Sequence, residues 1–248
     1  MNNGLRLPGN ITACLFDLDG VLTHTAELHA AAWKLTFDDF LRRRAMPATP
    51  VLFDAVADYD IYVDGKPRAA GVRSFLASRG IELAEGSPAD APSAETVYSV
   101  GQRKNQLVQE LMAQRGVIAY DGSVRFVAAV RVAGLLRAVV TSSENATAVL
   151  RAAGLEGAFD VQVDGELAHQ LGLAGKPAPD VFQEAARRLG VAPTNAAVFE
   201  DALAGVAAGR AGGFGLVVGV DRAGHGAELR ASGADVVVTD LAELLGGP

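Results

Sequence analysis

A doubly wound α/β fold, with a parallel sheet and an inserted helical unit, is predicted by three observations. Short runs rich in branched aliphatic residues recur along the chain, and helix-like segments alternate with the later ones. The first run is cut off from the second by residues 17 to 137, far more chain than a connection in such a sheet needs.

The runs are Ala13 to Phe16, Ala138 to Val140, Ala197 to Phe199, Leu216 to Val220 and Val236 to Val238. They are continuous rather than alternating, as strands covered on both faces are. Val124 to Arg131, Ala146 to Ala153, Asp180 to Leu189 and Leu203 to Ala211 read as the intervening helices. The long gap reads as helical: Leu28 to Arg42, a second helix begun by Thr49-Pro50 and running to about Asp58, then Arg68 to Ser78 and Val97 to Gln114, with residues 86–96 as a loop. The expected organisation is a Rossmann-like core made of residues 1–25 and 113–248, with a helical cap at 26–112.

Composition narrows the class. In 248 residues, half are hydrophobic and 21% charged, which belongs to a globular chain rather than a disordered one. The 22 basic against 29 acidic residues leave a net charge of −7, which argues against a broad nucleic-acid surface, so an anionic ligand needs a local positive site. Cys14 stands alone inside the first strand and reads as a small core residue, so no disulfide framework is expected and a reducing compartment is favoured. Met1-Asn2-Asn3-Gly4 lacks the start of a secretory signal and no apolar run is of membrane-spanning length, so a cytoplasmic protein is expected.

Polar clusters follow three of the strands. Asp17-Leu18-Asp19-Gly20 follows the first, Thr141-Ser142-Ser143 the second and Glu200-Asp201 a later one. Ligands of doubly wound sheets bind outside the carboxyl ends of the strands, so the clusters suggest one site. Carboxylates desolvated at a strand end cost free energy unless a cation or donors meet them. Taken alone, Asp-x-Asp-Gly also occurs in turns and calcium loops, but the calcium pattern requires an acid or amide at Val21 and a glutamate at Leu28.

With Lys176-Pro177-Ala178-Pro179-Asp180 added, four motifs stand in one order and resemble the haloacid dehalogenase superfamily of phosphoryl-transfer enzymes. The resemblance implies Asp17 as nucleophile, Asp19 as general acid and base, Thr141 and Lys176 as catalytic partners of the phosphoryl group, and Mg²⁺ held by Asp17, Glu200, Asp201 and the main-chain carbonyl of Asp19.

Residues 19–34, from Asp19-Gly20-Val21-Leu22-Thr23-His24-Thr25 through His29 to Trp33-Lys34, further resemble the β-phosphoglucomutase group. Thr25, His29 and Trp33 are four apart and share a helix face; such a stripe is usually packing, but its closeness in sequence to the acid loop suggests a face toward substrate. The resemblance implies that Gly65-Lys66-Pro67-Arg68 is a substrate loop whose Arg68 holds the phosphate not being transferred, and that Ser142, Ser143 and Asn145 contact phosphate and sugar. Glu144 and Asp64 depart from it, each standing where that group carries a lysine, with Lys66 as a replacement cation; His24 stands where an aspartate is usual. The implied activity is interconversion of β-glucose 1-phosphate and glucose 6-phosphate, or, with water as acceptor, hydrolysis of a sugar phosphate. The implied partner is a small phosphorylated sugar bound by a monomer, with neither nucleic acid nor membrane.

Overall fold

A computed structural model describes residues 4–45 and 49–246; the expectation read from Met1-Asn2-Asn3 lies outside them. Six strands form one parallel sheet: β1 (Ala13–Phe16), β2 (Leu136–Val140), β3 (Val161–Val163), β4 (Ala196–Glu200), β5 (Leu216–Val220) and β6 (Val236–Val238), in the order β3-β2-β1-β4-β5-β6. Phe16 lies opposite Val139 on one side and Phe199 on the other. The strand carrying the two aspartates is therefore central, and the ends of its neighbours bear Thr141 and Glu200-Asp201.

Helices α4 (Asp121–Val132), α5 (Ala146–Ala152), α6 (Gly165–Leu171), α7 (Asp180–Leu189), α8 (Leu203–Ala211) and α9 (Gly226–Ala231) belong to the same unit as the sheet. Under the strand ends, Phe16 stacks on Phe199 with centroids 4.7 Å apart, and Phe126 meets both rings edge-on. Burying each ring is worth about 1.5–3 kcal/mol, which anchors the carboxyl ends of β1 and β4. β3 escapes a sequence reading because it is three residues long and has Gln162 at its centre.

The chain divides into two compact units, residues 1–24 with 117–248 and residues 25–116. The second is helical: α1 (Thr25–Ala45), a π-helical turn at Tyr59–Val63, α2 (Arg68–Ser78) and α3 (Val97–Arg115). α3 is unbroken past residue 113, so the second crossing follows Gly116. The core of this unit joins Trp33 and Phe37 from α1, Phe53 from the connection and Phe75 from α2.

The helix expected from Thr49 to Asp58 is not formed. The Phe53 N–H donates to Asp38 Oδ1 (3.0 Å) and its carbonyl accepts from Lys34 Nζ (2.9 Å), which holds the chain extended; Asp54 then accepts from the Val56 and Ala57 N–H groups and starts the turn later. Among the described residues, no helix is long and apolar enough to cross a membrane.

Candidate active site

The turn after β1 is tied at both ends. The Asp17 N–H continues the sheet by donating to the Phe199 carbonyl (2.9 Å). One residue on, the Leu18 carbonyl accepts from the Leu22 N–H, the Thr23 N–H and the Thr23 hydroxyl, while the Gly20 N–H donates to the Thr23 carbonyl (2.8 Å). Gly20 has a φ of 101°, in the region that glycine tolerates best, so the chain reverses directly after Asp19.

Lys176 enters the same place from the segment before α7. Its ammonium, on a side chain with no exposed surface, donates to Asp17 Oδ1 (2.5 Å), Glu200 Oε1 (2.6 Å) and the Val140 carbonyl (3.2 Å). Three donors meet three acceptors, as a buried ammonium requires. Glu200 is fixed a second time, accepting from the Ala202 N–H at Oε2 (2.8 Å). The first turn of α8 makes room for it: a β-carbon at Gly205 would fall 1.7 Å from Glu200 Oε1. The Thr141 hydroxyl donates to Asp19 Oδ2 (3.3 Å) and accepts from the Ser143 N–H (3.0 Å), and Ser143 in turn accepts from the Asn145 N–H.

The electrostatics are those of a site short of positive charge. Carboxylate oxygens of Asp17, Glu200 and Asp201, all three side chains buried, lie within 4.8 Å of one another. One ammonium faces three acids. Burial and the neighbouring Asp17 push Glu200 up to about 7 against the pull of Lys176, and burial likewise raises Asp17, with Asp19 adding to the effect. Burial works against the charge on Lys176, but Asp17 and Glu200 outweigh it and hold the ammonium above its ordinary range. Three convergent carboxylates with surplus negative charge form a donor set that fits a hard cation, so Asp17, Glu200 and Asp201 could hold a metal ion.

The sheet unit thus brings together Asp17, Asp19, Thr141, Lys176, Glu200 and Asp201, with Ser142, Ser143 and Asn145 on the loop after β2. Thr25, His29, Trp33, Gly65, Lys66 and Arg68 lie in the helical unit. Trp33 corrects the expectation of a substrate-facing stripe. It is 3% exposed and stacks on Phe37 with centroids 4.9 Å apart, because α1 needs a large apolar group there to fill the unit's aromatic core.

Lys66 turns inward, giving its ammonium to the Ile61 carbonyl (2.7 Å) and Ser74 Oγ (3.4 Å), and burial lowers its pKa. Arg68 lies along α3 against Gly101, where an added β-carbon would sit 3.2 Å from its Cγ. Beside it is a residue that a motif search overlooks: Lys104, 5% exposed, with Nζ 2.9 Å from His29 Nδ1 and 5.0 Å from the centre of the Trp33 ring. The signal was present, since Lys104 interrupts the apolar face Val97, Val100, Gly101, Val108 and Leu111 of α3. Burial, with Lys104 and Arg68 nearby, drives the His29 pKa well below its usual value, so its ring is neutral.

Residues 11–213 match the haloacid dehalogenase-like hydrolase family. A β-phosphoglucomutase from Mycobacterium tuberculosis is 56% identical over 97% of this chain and 94% of its own. One from Bacillus subtilis is 30% identical over 94% and 91%. The crystal structure of CbbY from Rhodobacter sphaeroides in complex with phosphate superposes with a TM-score of 0.70 at 27% identity, covering 95% of this chain and 97% of that one. The chain belongs to the haloacid dehalogenase-like hydrolase family and, within it, to the β-phosphoglucomutase-like enzymes.

Proposed function

We propose that this protein is a phosphomutase that converts β-D-glucose 1-phosphate to glucose 6-phosphate through an aspartyl phosphate and a bisphosphorylated sugar. The observation that carries the reading is the pairing of two carboxylates one residue apart in different surroundings. Asp17 is gripped by Lys176, whereas Asp19 is met by a neutral hydroxyl from Thr141. The 56% identity to a β-phosphoglucomutase supports the choice of sugar.

In this reading Lys176 holds Asp17 Oδ1, which leaves the other oxygen to attack phosphorus. The Asp17–phosphorus bond forms as the bond from phosphorus to the sugar oxygen breaks, and Asp19 gives that oxygen its proton. In the return step Asp19 takes the proton of the sugar hydroxyl that attacks the aspartyl phosphate, and Asp17 is released. Thr141, with the backbone turned by Ser142, Ser143 and Asn145, places a donor beside the phosphoryl oxygens. Mg²⁺ held by Asp17, Glu200, Asp201 and the Asp19 carbonyl supplies neutralisation of the phosphoryl charge when bound. In the helical unit, Arg68 and Lys104 set two cations beside a neutral imidazole, a combination suited to the second phosphate.

The test is incubation with β-glucose 1-phosphate, Mg²⁺ and a trace of the bisphosphate. Glucose 6-phosphate is the expected product, and inorganic phosphate as the main product would replace the mutase reading with a phosphatase. Asp17→Asn should abolish transfer while leaving thermal unfolding close to wild type; normal turnover would remove Asp17 from its role.

A further inference from the structure

Arg222, just beyond β5, is used by none of the chemistry above, yet its guanidinium reaches the turn that carries Asp19. Its Nε donates to the Gly20 carbonyl (3.1 Å), and its Nη2 leans toward the Val21 carbonyl (3.5 Å) and Ser123 Oγ (3.4 Å). Nη1 donates to the Thr239 carbonyl (2.7 Å) and Asp240 Oδ2 (3.1 Å), which sets the fork from behind. The face of the guanidinium lies 3.7 Å from the centre of the Tyr120 ring, whose other neighbour is His24, with centroids 3.6 Å apart.

Tyr120 is itself tied to the turn, donating its N–H to the Leu22 carbonyl (2.9 Å), and Ser123 donates to the Val21 carbonyl (2.7 Å). From the same loop after β5, His225 Nε2 sits 3.2 Å from the Asp201 carbonyl, and Asp221 braces the loop by accepting from the Gly224, His225 and Gly226 N–H groups.

We propose that Arg222 is a positioning residue for Asp19: it fixes the carbonyls of Gly20 and Val21 and thereby the orientation of the acid/base carboxylate. The proposal rests on the role assigned to Asp19 above. Its physical basis is that Gly20 has no side chain to pack: its N–H is held within the turn by the Thr23 carbonyl, but the next two peptides turn their carbonyls outward, to Arg222 and Ser123. Arginine suits the task because a planar fork can donate along several directions and stack on an aromatic face at once. Lysine offers neither plane nor fork.

The experiment compares wild type, Arg222→Lys and Tyr120→Leu in the full chain with Mg²⁺. Hydrogen exchange is the first readout. Both variants should exchange faster in peptides covering 18–24 and 118–124, with β4 and β5 unchanged; no change there, or a rise across the whole sheet, would overturn the proposal. The second readout varies the leaving group. Transfer from a sugar phosphate, whose alkoxide needs a proton, should fall about 100-fold in Arg222→Lys, the usual effect of misplacing a reacting group by an ångström. Cleavage of p-nitrophenyl phosphate, whose leaving group needs none, should fall less than about threefold. Equal losses on both would make Arg222 a general structural residue. If wild type forms no glucose 6-phosphate, the proposed function fails, while the exchange comparison still judges Arg222.

Discussion

Gly20 and Asp201 occupy nearly the same space: a β-carbon on Gly20 would lie 1.7 Å from Asp201 Oδ2. The loop after β4 can bring its carboxylate beside Asp17 only because the residue after Asp19 has no side chain. Gly20→Ala should therefore displace Asp201 and strain a backbone held at φ 101°, the second effect alone costing about 1–2 kcal/mol. Activity is expected to fall at least about 100-fold together with metal affinity. A Gly20→Ala protein that binds Mg²⁺ like wild type would refute the link.

Lys176 is the other side of the same balance. Lys176→Met leaves Asp17 and Glu200 buried without their ammonium and should cost about 3–5 kcal/mol in the metal-free protein at pH 7. Because a divalent ion answers the same surplus of negative charge, Mg²⁺ should raise the melting temperature of the variant more than that of wild type. Equal increments in the two thermal scans would count against a shared electrostatic role.

Metal binding and proton transfer should separate by residue. Asp201→Asn is expected to weaken Mg²⁺ by more than the 10–100-fold typical of groups one shell outside a metal, in calorimetric titration (a range of about one to two decades). Asp19→Asn, whose proposed ligand is the unchanged main-chain carbonyl, should keep Mg²⁺ affinity and lose turnover. The opposite pattern would exchange the two assignments.

His29 gives the helical unit a pH dependence of definite sign. Its folded pKa lies well below 6.5, so below that pH the unfolded chain binds the proton that the folded ring refuses, and stability is lost as pH falls. Relative to His29→Gln, wild type should lose up to about 1.4 kcal/mol between pH 7.5 and 5.5. Its ring proton shifts should stay flat over the same range. A His29 resonance titrating near 6.5 would show that the imidazole is open to solvent.

The strands other than β3 were legible because buried parallel strands announce themselves as aliphatic runs; the acids and Thr141 stood out because they follow those runs, and Lys176 only through its Pro-flanked place in the order of the resembled motifs. Residues whose meaning is purely spatial were not legible. Lys104 sits in the middle of a helix 75 residues from the His29 it contacts, and Arg222 reaches a carbonyl 202 residues away. Trp33 misled for the opposite reason: at four-residue spacing an aromatic that packs inward and one that lines a cleft look alike in sequence. The absent helix after Thr49 turned on tertiary bonds from Lys34 and Asp38, which local propensity cannot register.

The His24 N–H donates to the Ile118 carbonyl and the Tyr120 N–H to the Leu22 carbonyl, each at 2.9 Å, with Thr23 bridged to Ala119 between them. The chain therefore leaves the sheet unit and returns to it through one doorway. To the catalytic turn, everything from 25 to 116 is a single loop, and the entropy of closing a loop grows only with the logarithm of its length. Helices between residues 25 and 116 could be lengthened or shortened beyond that doorway while the bonds that hold the turn after β1 stay the same.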